Sequence, residues 1–125
     1  MTTNHLRILY TVLFFIFIFL SGYWLSRAGR PYSVMILTVH KLLSVAAVVF
    51  LVIVMSRTNQ VTKLNTVELV AGGITGLFFL VALITGGLLS AAKPMPTIVL
   101  TIHRITPFLT VLSTAVTLYL LVRQK

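Results

Sequence analysis

The chain has 125 residues, of which 58% are apolar, ten are Lys or Arg and only one, Glu68, is acidic, for a formal charge of +9. That balance is a membrane composition. It argues against a nucleic-acid partner, because the cations come in ones and twos beside apolar runs and no polar domain exists to display a basic face; with no cysteine, disulfides and thiolate ligands are excluded as well.

Four apolar runs follow one another, at about 8–25, 34–55, 67–89 and 97–122. Each is long enough for a hydrocarbon core that takes roughly 20 helical residues. Lipid offers no partner to backbone N–H and C=O groups, so runs of this length predict four helices with short connections. Strands of a β-barrel would be about half as long and alternating. The expected fold class is therefore an all-α membrane protein, a four-transmembrane-helix bundle forming one domain over residues 1–125.

In chain order, a polar lead with His5 and Arg7 precedes the first run. Its length and the lack of a small-x-small cleavage site predict a retained first helix and not a removed signal peptide. Phe14, Phe15, Phe17 and Phe19 suit a lipid-facing surface, Ser21 and Gly22 offer a small patch for close approach, and Tyr23 and Trp24 sit where an interfacial aromatic belt would lie. The first loop, 26–33, carries Arg27 and Arg30 and closes with Pro31, which can begin a helix but not continue one. The second run holds His40 and Lys41, and the polar loop 56–65 follows it with Arg57 and Lys63. Glu68 falls in the first turn of the third helix, where a carboxylate favours the positive end of the dipole. That helix is rich in glycine, and Gly72 and Gly76 make a GxxxG spacing that lets another backbone come close. A short loop, 90–96, with Lys93 and two prolines leads to the fourth run, which holds His103, Arg104 and Pro107 and ends in a basic tail with Arg123 and Lys125.

One stretch occurs twice. RPYSVMILTVHKL, from Arg30 to Leu42, returns sixty-three residues later as KPMPTIVLTIHRI, from Lys93 to Ile105. Pro31 and Pro94, Leu37 and Leu100, Thr38 and Thr101, and His40 and His103 are identical pairs; Arg30 matches Lys93 and Lys41 matches Arg104 in charge. The halves run over about 1–63 and 64–125. With two helices each they are expected to share one orientation, as two parallel two-helix repeats about an axis along the membrane normal. Helices two and four then enter from the same side, and each histidine lies about 9 Å along its helix, so the two are expected at one depth and facing each other.

A histidine inside a membrane helix has a plain explanation, a neutral imidazole bonded to a neighbouring helix, although intramembrane ionisable groups are functional candidates by default. Two histidines related by symmetry shift the balance. Direct pairing of two imidazoles needs one donor and one acceptor and so wastes the symmetry, whereas a metal in a flat macrocycle accepts a neutral nitrogen equally from each face. A bare zinc or iron site needs further ligands, and no Cys, Asp or extra His lies near that depth. A tetrapyrrole brings four of its own, so His40 and His103 as axial ligands of heme b are the economical expectation, without covalent attachment since there is no CxxCH.

The neighbours fit a plate inserted among helices. On the histidine face of helix two come Ser44 and Ala47, and the matching positions of helix four are Pro107 and Thr110, all small for a membrane helix. Pro107 also removes the backbone bond to the His103 carbonyl, so a kink is expected from the ligand onward. Gly22 and Gly86, at the same depth on helices one and three, would admit the macrocycle edge or face. An unpaired cation in hydrocarbon costs about 2.5 to 3.5 kcal/mol. Helical side chains slant toward the N-terminus, so Lys41 and Arg104 are expected to snorkel toward the first and third loops, where two propionates, or lipid phosphates, would meet them.

On these residues the chain resembles the four-helix membrane cytochromes b, including the core bundle of quinol-oxidising complexes, which hold heme between histidines of the second and fourth helices. The resemblance covers all four runs but rests on His40, His103, their following cations, Gly22 and Gly86. It implies a shortened, single-heme version: those proteins carry a second histidine thirteen or fourteen residues along each ligand helix, where this chain has residues such as Val54 and Thr117. The function expected is a cytochrome b subunit that carries single electrons, since two protein ligands leave the iron no open position. It would exchange them with a quinone or a partner redox protein, within a larger membrane complex or a homo-oligomer. A chlorin-binding pigment protein and a small four-helix transporter or channel without cofactor are the alternatives. Catalysis has little to work with, because three histidines and one glutamate make no nucleophile–base constellation. Arg7, Arg57, Lys63, Arg123 and Lys125 on the terminal side outnumber Arg27, Arg30 and Lys93 opposite, which favours cytoplasmic termini in a prokaryotic plasma membrane.

Overall fold

Four α-helices, α1 (Thr3–Ala28), α2 (Val34–Val61), α3 (Thr66–Leu89) and α4 (Thr97–Arg123), account for nearly all of the backbone in the computed structural model, which describes residues 3–29, 33–90 and 96–123, with side chains from His5 onward. Arg30, Pro31, Lys93, Pro94 and Lys125, singled out in the sequence, lie outside the described residues. The class is all-α as expected, and each helix is long and apolar enough to cross a membrane. Large apolar side chains such as Leu20, Val34, Leu42 and Phe108 are exposed along them, a surface that suits lipid and not water.

The apolar runs mark the bilayer core better than the helix ends. α1 begins earlier, in the polar lead, and reaches Ala28. There Gly29, at φ 71°, takes the left-handed conformation and its N–H bonds the Leu25 carbonyl at 3.1 Å, a glycine C-cap. α2 runs six residues past its apolar stretch to Val61, because Ser56 to Gln60 include no glycine or proline to stop it. Its end is closed by side-chain chemistry: Leu64 N–H donates to Asn59 Oδ1 at 3.1 Å.

α3 starts with a reciprocal cap. Glu68 N–H donates to Asn65 Oδ1 at 2.8 Å, and Asn65 N–H donates to Glu68 Oε1 at 3.0 Å. Glu68 therefore sits in the first turn, as its position in the sequence implies, and is fully buried there. Replacing Asn65 with alanine removes one of the two bonds and should cost about 1 kcal/mol, measurable as a lowered unfolding midpoint of the detergent-solubilised protein by circular dichroism.

The chain groups into two compact units, Met1–Val52 and Ile53–Lys125. In the first, α1 and the body of α2 are antiparallel, with Tyr10 edge-on to Phe50 at 6.2 Å between ring centroids and Phe14 tilted on Phe50 at 5.6 Å, distances at which aromatic rings attract. In the second, α3 and α4 are antiparallel and joined by hydroxyl groups. Thr75 Oγ1 bonds Thr117 Oγ1 at 3.1 Å and also Ser113 Oγ, while donating to the Ala71 carbonyl. Threonines 106, 110, 114 and 117 lie with Leu118 and Leu121 on the buried face of α4; Thr106 and Thr110 turn their hydroxyls to carbonyls of α4 itself, while Thr117 makes the bond to α3, of the kind that holds helices together where the hydrophobic effect cannot. The glycine-rich stretch of α3 works differently from a backbone-to-backbone contact: Gly72 makes room for the Met55 side chain, and Gly76 has open space beside it.

Candidate functional site

His40 stands six residues after Val34, the start of α2, and His103 six after Thr97, the start of α4. Both are half-buried. Each imidazole lies in a seat made by the preceding helix of its own hairpin, and the two seats are built alike.

In the first unit the seat is Ser21 and Gly22 of α1. Ser21 Oγ is 2.8 Å from His40 Nδ1, and the ring lies so close to Gly22 that a Cβ there would be 3.0 Å from His40 Cε1 and 3.6 Å from Nδ1. In the second unit the seat is Thr85 and Gly86 of α3. Thr85 Oγ1 is 3.0 Å from His103 Nδ1, and a Cβ at residue 86 would be 2.9 Å from His103 Cε1 and 3.5 Å from Nδ1. The space left by the missing side chains, expected from the sequence to admit a macrocycle edge, is filled in each hairpin by imidazole.

Each hydroxyl makes a second bond to its own helix. Ser21 Oγ–H donates to the Ile18 carbonyl at 3.0 Å, and Thr85 Oγ1–H donates to the Val81 carbonyl at 2.8 Å, with Ala82 O at 3.2 Å. A hydroxyl–glycine pair thus recurs sixty-four residues apart, Ser21-Gly22 and Thr85-Gly86, each against a histidine. The internal duplication therefore extends from α2 and α4 into α1 and α3. The sequence signal was present, LSG against ITG, but a serine beside a glycine in a membrane helix reads first as a small packing patch.

Around these seats the other predicted residues are distributed as follows. Ser44 is half-buried and its Oγ–H donates to the His40 carbonyl at 2.8 Å; Ala47 is buried one turn on. In α4, Pro107 lies inside the helix without ending it, and Thr110 is buried with its Oγ1–H on the Thr106 carbonyl at 2.9 Å. Lys41 and Arg104 are exposed, each next in sequence to its histidine. Gly22 and Ser44 are thus brought to His40, and Gly86 to His103. Among the described residues no group of three or more His, Asp or Glu gathers as a metal cluster.

No protein-family model matches the chain, and comparison with curated proteins and with solved structures gives no match either.

Proposed function

We propose that this chain is the membrane subunit of a b-type cytochrome, in which heme b takes His40 and His103 as its axial ligands and carries single electrons. The observation that supports it is the duplicated imidazole seat, since a glycine and a hydroxyl on the neighbouring helix hold each ring in the same way. A structural histidine needs one hydrogen-bond partner, and a duplication would repeat that partner as well. Metal-bound histidines, by contrast, are held through the nitrogen that does not ligate, and in each hairpin a hydroxyl lies within hydrogen-bond distance of Nδ1.

The residues present fit such a group. Two neutral imidazoles complete an iron that a tetrapyrrole already binds through four nitrogens, and bound heme supplies a one-electron couple. Lys41 and Arg104 carry the charges that propionates require, one beside each ligand. With both axial positions held by protein, the chain is an electron carrier, and its partners are a quinone or a redox protein of a larger membrane assembly. Neither hairpin offers a second histidine deeper in the membrane for another heme, so the chain is poorly equipped to carry electrons across the whole bilayer by itself.

The test is a redox-titrated absorption spectrum of the purified full chain, with a pyridine hemochrome assay. A single reversible b-type transition, unaffected by carbon monoxide, is expected. A folded but colourless protein, or carbon monoxide binding to the reduced form, overturns the proposal, and a magnesium chlorin would declare itself by its own absorption bands. A second reading, a small transporter or channel, is favoured by one observation: the hydroxyl seam of Thr75, Ser113 and Thr117 in the unit that also buries Glu68. Ion or solute flux through proteoliposomes of colourless protein is its signature.

A further inference from the structure

The hydroxyls of Ser21 and Thr85 each have one proton and two lone pairs. In Ser21 the proton is directed to the Ile18 carbonyl, and in Thr85 to the carbonyls of Val81 and Ala82. A carbonyl oxygen accepts and cannot donate, so these bonds consume the hydroxyl protons. What each oxygen then presents to the imidazole, at 2.8 Å for His40 and 3.0 Å for His103, is a lone pair. The complementary partner is an Nδ1–H.

We infer that Ser21 and Thr85 are positioning residues that fix His40 and His103 in the Nδ1–H tautomer, so that the lone pair of each ring is on Nε2. The tautomer stands on the hydrogen bonds alone; its use rests on the heme reading above. A neutral imidazole ligates through its unprotonated nitrogen, so the hydroxyls select which atom meets iron before any heme arrives. A lone pair behind Nδ1–H also raises the basicity of Nε2 and thus favours the ferric over the ferrous state. In hydrocarbon no water competes for Nδ1, so each hydroxyl acts on the choice of tautomer undiluted by solvent. Gly22 and Gly86 complete the device, since a Cβ in either place would press on the ring that reaches the hydroxyl.

The experiment has two arms on the full chain in lipid bilayers. The first is nitrogen-15 magnetic resonance of ring-labelled histidines in protein prepared without heme. His40 and His103 should both show a protonated Nδ1 and an unprotonated Nε2, and the variants Ser21→Ala and Thr85→Val should each let the facing ring become a mixture of tautomers. The second arm is the heme-loaded protein. The same variants should bind heme about tenfold more weakly and show a raised reduction potential, while Ser21→Thr and Thr85→Ser, which restore a hydroxyl, should return both values toward the parent. An Nε2–H tautomer in the parent chain overturns the inference whether or not heme binds. A parent with the expected tautomer but no heme affinity leaves the inference standing and overturns the cytochrome. An unchanged potential in well-folded Ser21→Ala and Thr85→Val proteins refutes the positioning role.

Discussion

On the proposed heme reading, replacing His40 or His103 with alanine should strip the protein of low-spin heme. In His40→Ala the ring that fills the space beside Gly22 is gone, and in His103→Ala the one beside Gly86. Each variant loses one of two axial bonds, so the heme retained after purification should fall by at least tenfold, and any heme that remains should be five-coordinate and bind carbon monoxide when reduced. Loss of cofactor must be told from loss of fold. The void left by the ring costs on the order of 2 kcal/mol, less than four packed apolar helices lose on complete unfolding, so helical circular dichroism should survive. Free imidazole in the buffer offers a further check. It can enter the space beside the glycine, find the same hydroxyl acceptor and restore the six-coordinate spectrum. If His40→Ala and His103→Ala both keep the parent spectrum, neither residue is an axial ligand.

How much of this could be seen in the sequence depends on which interaction carries the information. Hydropathy and length disclose four helices because the bilayer imposes one overriding constraint along the whole run. They do not disclose where α2 stops, since beyond Met55 the determinant changes from hydrophobicity to local hydrogen bonding, and a stretch such as Ser56 to Gln60 continues the helix until Asn59 turns its side chain to the Leu64 N–H. The two histidines are legible as a repeat, and so is the value of a missing side chain at Gly22 and Gly86. What fills the space is not. A glycine tells that something comes close without saying what, and only the pairing of α1 with α2, and of α3 with α4, shows the imidazole in that space. The roles of Ser21 and Thr85 are hidden for a similar reason. A hydroxyl bonded to its own preceding turn is ordinary in membrane helices, and its second bond, to a residue nineteen or eighteen positions away, is a property of the hairpin. The seam of Thr75, Ser113 and Thr117 likewise needs the α3–α4 register before three scattered hydroxyls become one cluster.

The glycines themselves give the second large effect, and an internal control stands beside one of them. A Cβ at residue 86 would come within 2.9 Å of His103 Cε1, whereas a Cβ at residue 87 meets nothing within 4 Å. Gly87→Ala should therefore leave the heme spectrum unchanged and add a few tenths of a kcal/mol to about 1 kcal/mol of helix stability, since alanine is the better helix former. Gly86→Ala gains the same helix propensity but must push the ring aside by a few tenths of an ångström, which lengthens the 3.0 Å bond to Thr85. Gly86→Val adds two further methyl groups where the ring already sits, and overpacking of this kind costs about 1–3 kcal/mol unless the imidazole leaves its seat. It should leave, because a rigid, β-branched side chain cannot yield to the ring as a flexible one would. Heme content should fall from Gly87→Ala through Gly22→Ala and Gly86→Ala, whose nearest contacts of 3.0 Å and 2.9 Å put them together, to Gly86→Val, with the valine variant losing at least tenfold in affinity. Titration of heme into each purified variant measures the series. Equal affinities for Gly87→Ala and Gly86→Val would show that the seat beside Gly86 does not govern the ligand.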